Sequence, residues 1–459
     1  MEKNLTTGSV FKNIVYFSLP YLLSYFLQTL YGMADLFIIG RYEGAASITA
    51  VSVGSQIMHM LTVMIVGLSM GTTVAVGRAV GAKNREGISK NIGNTVILFG
   101  ILSLVLTALL LLCNRGIVSL VSTPQRAVEG TVGYLRVCFL GLPFIIAYNI
   151  IASIYRGLGD SKSPMYFIAV ACAANIVLDY IFIGYFRMGP VGAALGTTLA
   201  QGTSVIIALV FIFKKRSGIS LQKRYLKPDR QIMGQLIRIG MPVAFQDGFI
   251  QISFLVITVI ANLRGLTDAA AVGIVEKIMC FMFLVPSSML SAVSALCAQN
   301  FGAKKPERAS LVLKYAIFTA TGIGLAAAVA VFLFARGIVG LFTSDLAAVT
   351  AGAQYLRGYI WDGCFGGIQF CFSGYFCACG RSELSFMHNI VSILLVRIPG
   401  AFLASKFFAD TLLPMGLASS AGSLVSAVIC LVAFLIITKN GADPTLKCKK
   451  GEVWQKNQQ

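Results

Sequence analysis

The apolar residues of this chain fall in long unbroken blocks, not in amphipathic stripes or alternating runs. A hydrocarbon core is crossed by ~20 apolar residues in helical conformation. Blocks on that scale lie near Ile14–Ile39, Ile48–Val76, Ile92–Cys113, Val132–Tyr155, Met165–Tyr185 and Val191–Phe213. A second set lies near Leu236–Leu263, Ala270–Cys297, Val312–Phe334, Gly352–Cys377, Met387–Phe408 and Pro414–Thr438. The second and eighth blocks exceed a perpendicular crossing, which predicts tilt or an added amphipathic turn. The pattern predicts an all-α membrane protein of twelve transmembrane helices and excludes a string of soluble domains.

Polar residues sharpen this picture. Only 12% of the 459 residues are charged, with 37 Lys and Arg against 18 Asp and Glu; a soluble chain averages roughly 25% charged. The basic residues crowd into alternate short loops, at Lys83, Arg85 and Lys90, at Arg156 and Lys162, at Lys304, Lys305 and Arg308, and in the stretch from Lys214 to Arg230. The opposite loops hold about one each, among them Arg41, Arg115, Arg187, Arg264 and Arg336. That asymmetry is the positive-inside pattern, so the excess charge speaks for membrane orientation and not for a nucleic-acid partner. It predicts a multi-pass protein of the prokaryotic cytoplasmic (inner) membrane with both termini in the cytoplasm. The expected organisation is a first six-helix bundle over 1–213, a basic cytoplasmic linker over 214–234, a second bundle over 235–438 and a cytoplasmic tail over 439–459. No cleavable signal peptide is expected, because the first apolar block runs on without a small-residue cleavage site.

The two sets repeat. Gly81-Ala82-Lys83 recurs as Gly302-Ala303-Lys304, and Tyr134-Leu135-Arg136 as Tyr355-Leu356-Arg357. Ser18-Leu19-Pro20 is echoed by Gly240-Met241-Pro242, all at an offset of 221 or 222 positions. Six spans per repeat place the pseudo-symmetric halves the same way up, an arrangement in which transporters bind cargo where the repeats meet and rock between two states. Pro20 and Pro242 each remove a backbone bond from the first helix of a half, which makes them candidate hinges.

Ionisable groups inside a span cost ~3 kcal/mol or more, so each is a functional candidate. Asp35 and Asp179 lie in spans one and five at depths within ~5 Å of each other, counted at ~1.5 Å per residue. Asn175 precedes Asp179 by one turn, on the same face, and Thr197 enters at similar depth on span six. Two carboxylates, an amide oxygen and a hydroxyl predict an oxygen-rich site for a sodium ion or a proton. In the second half, Asp247 beside Gln246 is a candidate for a cationic cargo, and Asp362, flanked by Tyr359 and Trp361, a possible aromatic-flanked cation site. Glu276 either joins them or pairs with Lys277. The eleven cysteines show no metal-ligand spacing, the only histidines are His59 and His388, and no nucleophile motif is present. Small-residue spacing at Gly67, Gly71, Gly77 and Gly81, and at Gly192 and Gly196, predicts close helix contact.

The ordered motifs resemble a known family. Pro20 with Leu27-Gln28-Thr29-Leu30-Tyr31-Gly32-Met33-Ala34-Asp35 and Ile39-Gly40-Arg41 is similar to the opening helix of multidrug and toxin extrusion (MATE) transporters. Gly67-Leu68-Ser69-Met70-Gly71, Arg156-Gly157-Leu158-Gly159-Asp160, Asn175-Ile176-Val177-Leu178-Asp179, Gly192-Ala193-Ala194-Leu195-Gly196-Thr197 and Ala298-Gln299-Asn300-Phe301-Gly302-Ala303 continue the resemblance over both halves. It implies a V-shaped antiporter that exports cationic amphipathic compounds against inward proton or sodium flow. It implies a cation site at Asp35, Asn175, Asp179 and Thr197, and drug-contacting or network roles for Gln28 and Asn149. The glutamate that some members carry in helix seven has no match here.

The expectation is therefore a non-enzymatic antiporter with no cofactor beyond a coupling H+ or Na+. Its partners would be small organic cations and the bilayer, and one chain would suffice as a functional monomer. The alternative is a lipid-linked oligosaccharide or lipid flippase of the same superfamily. Such a protein suits a cavity lined by cations, and here the intramembrane cations are few, Arg136, Arg357, Arg397 and Lys277.

Overall fold

The computed structural model describes residues 4–121, 123–214, 225 and 227–439. They form α1 (Val10–Tyr42), α2 (Ala45–Gly81), α3 (Arg85–Leu120), α4 (Val128–Leu140), α5 (Leu142–Gly157), α6 (Lys162–Asp179), α7 (Gly189–Lys214) and α8 (Arg230–Arg264). Then follow α9 (Leu266–Met282), α10 (Leu284–Gly302), α11 (Pro306–Gly340), α12 (Leu346–Tyr359), α13 (Asp362–Ala378), α14 (Ser382–Ser392), α15 (Ile398–Phe407) and α16 (Leu413–Lys439). Wide π turns at Tyr180–Tyr185 and Ile393–Arg397 continue α6 and join α14 to α15.

The chain is an all-helical membrane protein. Among the described residues ten helices are long and apolar enough to cross a bilayer, or eleven if the bent pair Gln125–Leu140 and Leu142–Gly157 counts as one span. The expected tenth span, Gly352–Cys377, is broken at Ile360–Trp361 into α12 and α13, of 14 and 17 residues. Apolarity alone did not reveal either break, because the residues at the bends are themselves apolar or small. Leucines and phenylalanines stand out from α3 and α11, Leu104 70% exposed, Leu112 87% and Phe318 77%. Side chains of that kind are stable in lipid and costly in water. Of the expected linker, Lys214 closes α7 and Arg230 already opens α8, while residues 215–224 and 226 lie outside the described residues, as do 440–459 of the tail.

Packing divides the chain into two compact units. One comprises Leu19–Val80 and Asn84–Gly240, the other Asn4–Ser18, Gly81–Lys83 and the chain from Met241 onward. The first has a core built on Ile38, Ile39, Phe99, Leu135, Phe139 and Ile146, the second on Val272, Val275, Tyr355, Leu356 and Met415. Pro20 and Pro242 lie inside α1 and α8, within two residues of these divisions.

The sequence repeat is carried into backbone detail. Lys83 and Lys304 both adopt positive φ, 54° and 57°, just past the ends of α2 and α10. Each is followed by a closing bond five residues back, Asn84 N–H to Ala79 O at 3.0 Å and Lys305 N–H to Asn300 O at 2.9 Å. This is the left-handed cap that ends a helix, occupied here twice by lysine instead of the usual glycine. Gly159 and Gly380 repeat the device with φ of 85° and 75°, and Asp160 and Arg381 donate back to Tyr155 O and Phe376 O. The breaks also correspond, Gly141 in one unit and Asp362 in the other lying 221 positions apart. At the second break Ser420 Oγ donates to Gly358 O at 2.8 Å and Tyr359 O at 3.1 Å, which satisfies carbonyls the interrupted helix would leave bare in lipid. In the first unit Thr198 sits against Gly141.

Helix α16 approaches α12 backbone to backbone. A Cβ on Gly416 would meet Tyr355 O, Tyr359 N and Gly358 Cα, whereas one on Gly100 in α3 would meet nothing. Gly416→Ala is therefore expected to lower stability by about 1–3 kcal/mol through overpacking. Gly100→Ala is expected to raise it by about 0.5–1 kcal/mol, because alanine restricts the unfolded chain. Opposite shifts of the thermal midpoint in detergent check the pair; equal shifts would contradict it.

Candidate functional site

Asp35 lies on α1 well past Pro20, Asn175 and Asp179 one turn apart on α6, and Thr197 on α7. All four belong to the first unit. Helix geometry sets the α6 pair, since residues four apart share a face. Asp179 is the last residue before the π turn, and Gly196 makes room for it: a Cβ on Gly196 would run into Asp179 Oδ1. Thr197 Oγ1 donates to Asp35 Oδ2 at 3.2 Å, and Asn175 Nδ2 points at Thr197 Oγ1 from 3.5 Å. The carboxyl groups of Asp35 and Asp179 are close neighbours that act on each other electrostatically. Asp35 is 4% exposed, Asn175 1% and Asp179 0%.

The donor count matters most here. Asp35 Oδ1, Asn175 Oδ1 and both Asp179 oxygens are buried without a hydrogen-bond donor among the described residues. Two bare carboxylates so close and so dry would cost several kcal/mol each. A proton or a monovalent cation removes that cost, and a set of oxygen ligands suits a hard cation. Tyr31 and Gln201, which the sequence reading did not single out, lie near the group. Each sits one turn from a site residue, Tyr31 before Asp35 and Gln201 after Thr197, so helical spacing was the signal available.

The remaining candidates are dispersed. Gln28 is half-buried on α1, seven residues before Asp35. Asn149 is buried on α5, but its amide donates to Ile145 O of its own helix at 2.9 Å and it does not join the acidic pair. Asp247 is half-buried on α8 and has no hydrogen-bond or ion-pair partner among the described residues. Glu276 accepts from Thr258 Oγ1 at 3.2 and 3.3 Å, while Lys277 is exposed; the expected internal ion pair is replaced by a hydroxyl.

Asp362 requires a correction. It is wholly buried, and its carboxylate is held by Arg397, whose Nη2 also reaches Tyr359 Oη at 3.2 Å. The guanidinium, not a cargo, takes the aromatic faces, 5.4 Å from the Phe254 ring centre and 5.6 Å from that of Tyr359. The flanking aromatics were a true signal read onto the wrong cation. In this unit the positions equivalent to Asp35, Asp179 and Thr197, at the repeat offset, are Ile257, Gly400 and Ala418. Gly400 packs against Ala418.

Comparison with known proteins bears on the same residues. The MatE family model matches residues 20–181 and again 242–403, so each half carries one copy. The chain belongs to the MatE family, whose members are transporters and not enzymes. The first copy begins on Pro20 and ends just beyond Asp179. Among relatives, the probable multidrug resistance protein YpnP of Bacillus subtilis is 28% identical over 418 residues, 91% of this chain and 93% of that protein. The multidrug export protein MepA of Staphylococcus aureus is 28% identical over 433 residues, 93% of each. A solved multidrug resistance MATE transporter of the MOP superfamily, in an outward-facing conformation, matches with a TM-score of 0.89 at 25% identity, covering 95% of this chain and 97% of that one. A MOP superfamily transporter from Pyrococcus furiosus, described as having a binding pocket of reversed polarity and a suggested different function, matches at 0.88 and 26% identity over 94% and 96%.

Removing one partner of the buried ion pair tests the assignment of Asp362 in this MatE transporter. Arg397→Met should cost about 3–5 kcal/mol, because an unpaired carboxylate is left behind, while the double change with Asp362→Leu should recover most of that loss. Thermal midpoints of the single and double variants check this. A double variant no more stable than the single one would mean that Asp362 has another cation.

Proposed function

We propose that this chain is a secondary antiporter that exports cationic amphipathic drugs or toxins in exchange for inward H+ or Na+, by rocking of two six-helix bundles. The observation that carries the reading is the dry, donor-poor pair Asp35 and Asp179 with Asn175 and Thr197. Such a group is stable only with a bound cation or proton, and exchange of that ion is what couples a gradient to movement. The names of YpnP and MepA support drugs as the cargo class. Cationic cargo, as opposed to the pyrophosphate of a lipid-linked sugar, is favoured because the intramembrane cations do not form a lining. Arg397 is bound to Asp362, Arg136 and Lys277 are exposed, and Arg357 donates to Phe332 O. The same reading places both termini and the basic loops in the cytoplasm of a bacterial cell, and has one chain act alone.

Purified protein in liposomes loaded with ethidium should release it when a proton or sodium gradient is imposed. Asp35→Asn and Asp179→Asn should each reduce that release about 5–150-fold, the range of a coupling free energy of ~1–3 kcal/mol. Release that ignores both gradients in folded protein would sink the antiport reading; release of an anionic lipid probe instead would favour the flippase.

The same assay reads the hinge. Pro20→Ala restores a backbone bond in α1 and should slow release while leaving the thermal midpoint unchanged or higher. An unaltered rate and ion dependence would remove Pro20 from the mechanism.

A further inference from the structure

The spans of this chain differ in what their exposed faces carry. On α3 and α11 those faces are apolar, with Leu104, Leu109 and Leu112 on the first and Phe318, Leu325 and Leu333 on the second. Helix α2 exposes no large apolar side chain along its whole length; what it exposes is Ala45, Ala46, Ser52, Gln56 and His59. Helix α9 exposes none between Leu266 and Phe281, and shows Ala270, Lys277 and Cys280 instead. The two faces correspond, because 221 positions separate Gln56 from Lys277 and His59 from Cys280.

Gln56 and Lys277 each stand eleven residues into their helix, about 17 Å along at ~1.5 Å per residue, on the scale of a ~30 Å hydrocarbon core. A charged or amide side chain at such depth is costly against lipid and faces protein or water. These residues are exposed and have no exposed apolar neighbours on their face, so they face water. Lys277 is the charged member of the pair, and it makes no hydrogen bond or ion pair among the described residues. Its chain neighbour Glu276 is engaged elsewhere, accepting from Thr258 Oγ1 of α8 at 3.2 and 3.3 Å. Val275, Ile278 and Met279 pack into the core of the unit and fix the rotation of α9. One lysine is not the cationic lining that a pyrophosphate head needs. It is a point charge with three donors to give, and one carboxylate satisfies it.

We propose that Lys277 is a cargo-recognition residue whose ammonium binds an acidic group on the exported compound. Amphipathic zwitterions, cations that also carry a carboxylate, are then taken in preference to plain cations of the same shape. The inference rests on the antiport reading and deepens it by naming the cargo class.

Two measurements on the full-length protein in liposomes test it. The first is thiol labelling read by peptide mass spectrometry. Cys280, one turn from Lys277, and Cys113, on the leucine-rich face of α3, are both free and exposed. Charged methanethiosulfonates should modify Cys280 and spare Cys113. Labelling of Cys280 no faster than of Cys113 would put the face of α9 in lipid and overturn the proposal. Residues three apart on a helix are ~6 Å from each other, and a unit charge at that distance in water changes the local concentration of a monovalent reagent about threefold. At low salt, Lys277→Gln should therefore lower the ratio of anionic to cationic labelling at Cys280 about tenfold, and Lys277→Arg should preserve it.

The second measurement compares a rhodamine that bears a free carboxylate with its methyl ester, a plain cation. Native protein should favour the zwitterion. Lys277→Gln should cut its gradient-driven release about tenfold or more, the effect of losing a hydrogen bond to a charged group, and should raise that of the ester, which the ammonium repels. Equal effects on the two dyes in folded Lys277→Gln, or a native preference for the ester, would overturn the proposal. If ethidium is released under a gradient while the two rhodamines are treated alike, only this inference fails. If no dye moves in native protein but the labelling ratio still falls tenfold, the antiport reading fails and the anion site stands.

Discussion

A carboxylate moved out of water must be met by positive charge, and the two halves of this chain meet that requirement in opposite ways. For Asp362 of the second unit the compensation is internal and permanent. Arg397 holds Asp362, and Phe254 and Tyr359 lay their faces against the guanidinium. In the first unit no basic side chain is within reach of Asp35 and Asp179, and their free oxygens find no donor among the described residues. In the antiport proposed above, compensation there comes from outside, and what comes from outside can also leave. A resident arginine makes a stable core; an exchangeable ion makes a device.

This difference is imposed on a backbone that the halves share closely. The lysine caps at Lys83 and Lys304, the glycine caps at Gly159 and Gly380, and the breaks at Gly141 and Asp362 recur at one offset. Such features are determined by main-chain bonds and are retained by any side chain that tolerates the torsions. Side chains pointing into each bundle are under no such restriction. Asp179 packs against Gly196 in the first unit, whereas Gly400, 221 positions after Asp179, packs against Ala418. Duplication therefore supplied two scaffolds, and only one of them keeps paired acids at the meeting of its first, fifth and sixth spans.

How much of this was legible in the chain depended on the range of the interaction. Twelve crossings were expected from block length and apolarity, which are local, and among the described residues ten or eleven meet both measures. Asp35, Asn175, Asp179 and Thr197 could be grouped by counting residues from the membrane surface, because helices convert sequence distance into depth. The breaks were not legible: a bend at Gly141 or at Ile360–Trp361 depends on which backbone carbonyls a neighbouring helix can satisfy, as Ser420 does. Asp362 was misjudged for a related reason. Its partner lies 35 residues away on another helix, brought round by a π turn that no periodicity announces. Glu276 was offered Lys277, its chain neighbour, but consecutive residues on a helix point apart, and Thr258 took its place.

An ion can drive a conformational change only as far as it binds one state better than the other. The first unit supplies a geometric basis for such a difference. Asp35 is carried by α1, Asp179 by α6, and Thr197 of α7 bonds to Asp35. With a proton or cation between them, the acids are drawn together and α1 is held against α6 and α7. Without it, like charges in a poorly screened interior repel, and the part of the molecule most able to yield is α1, which gives up a backbone bond at Pro20. In the proposed antiport, Asp35 is therefore the residue through which occupancy of the site would act on the position of α1. A pair of acids on two unbroken, mutually bonded helices would bind the same ion and transmit nothing.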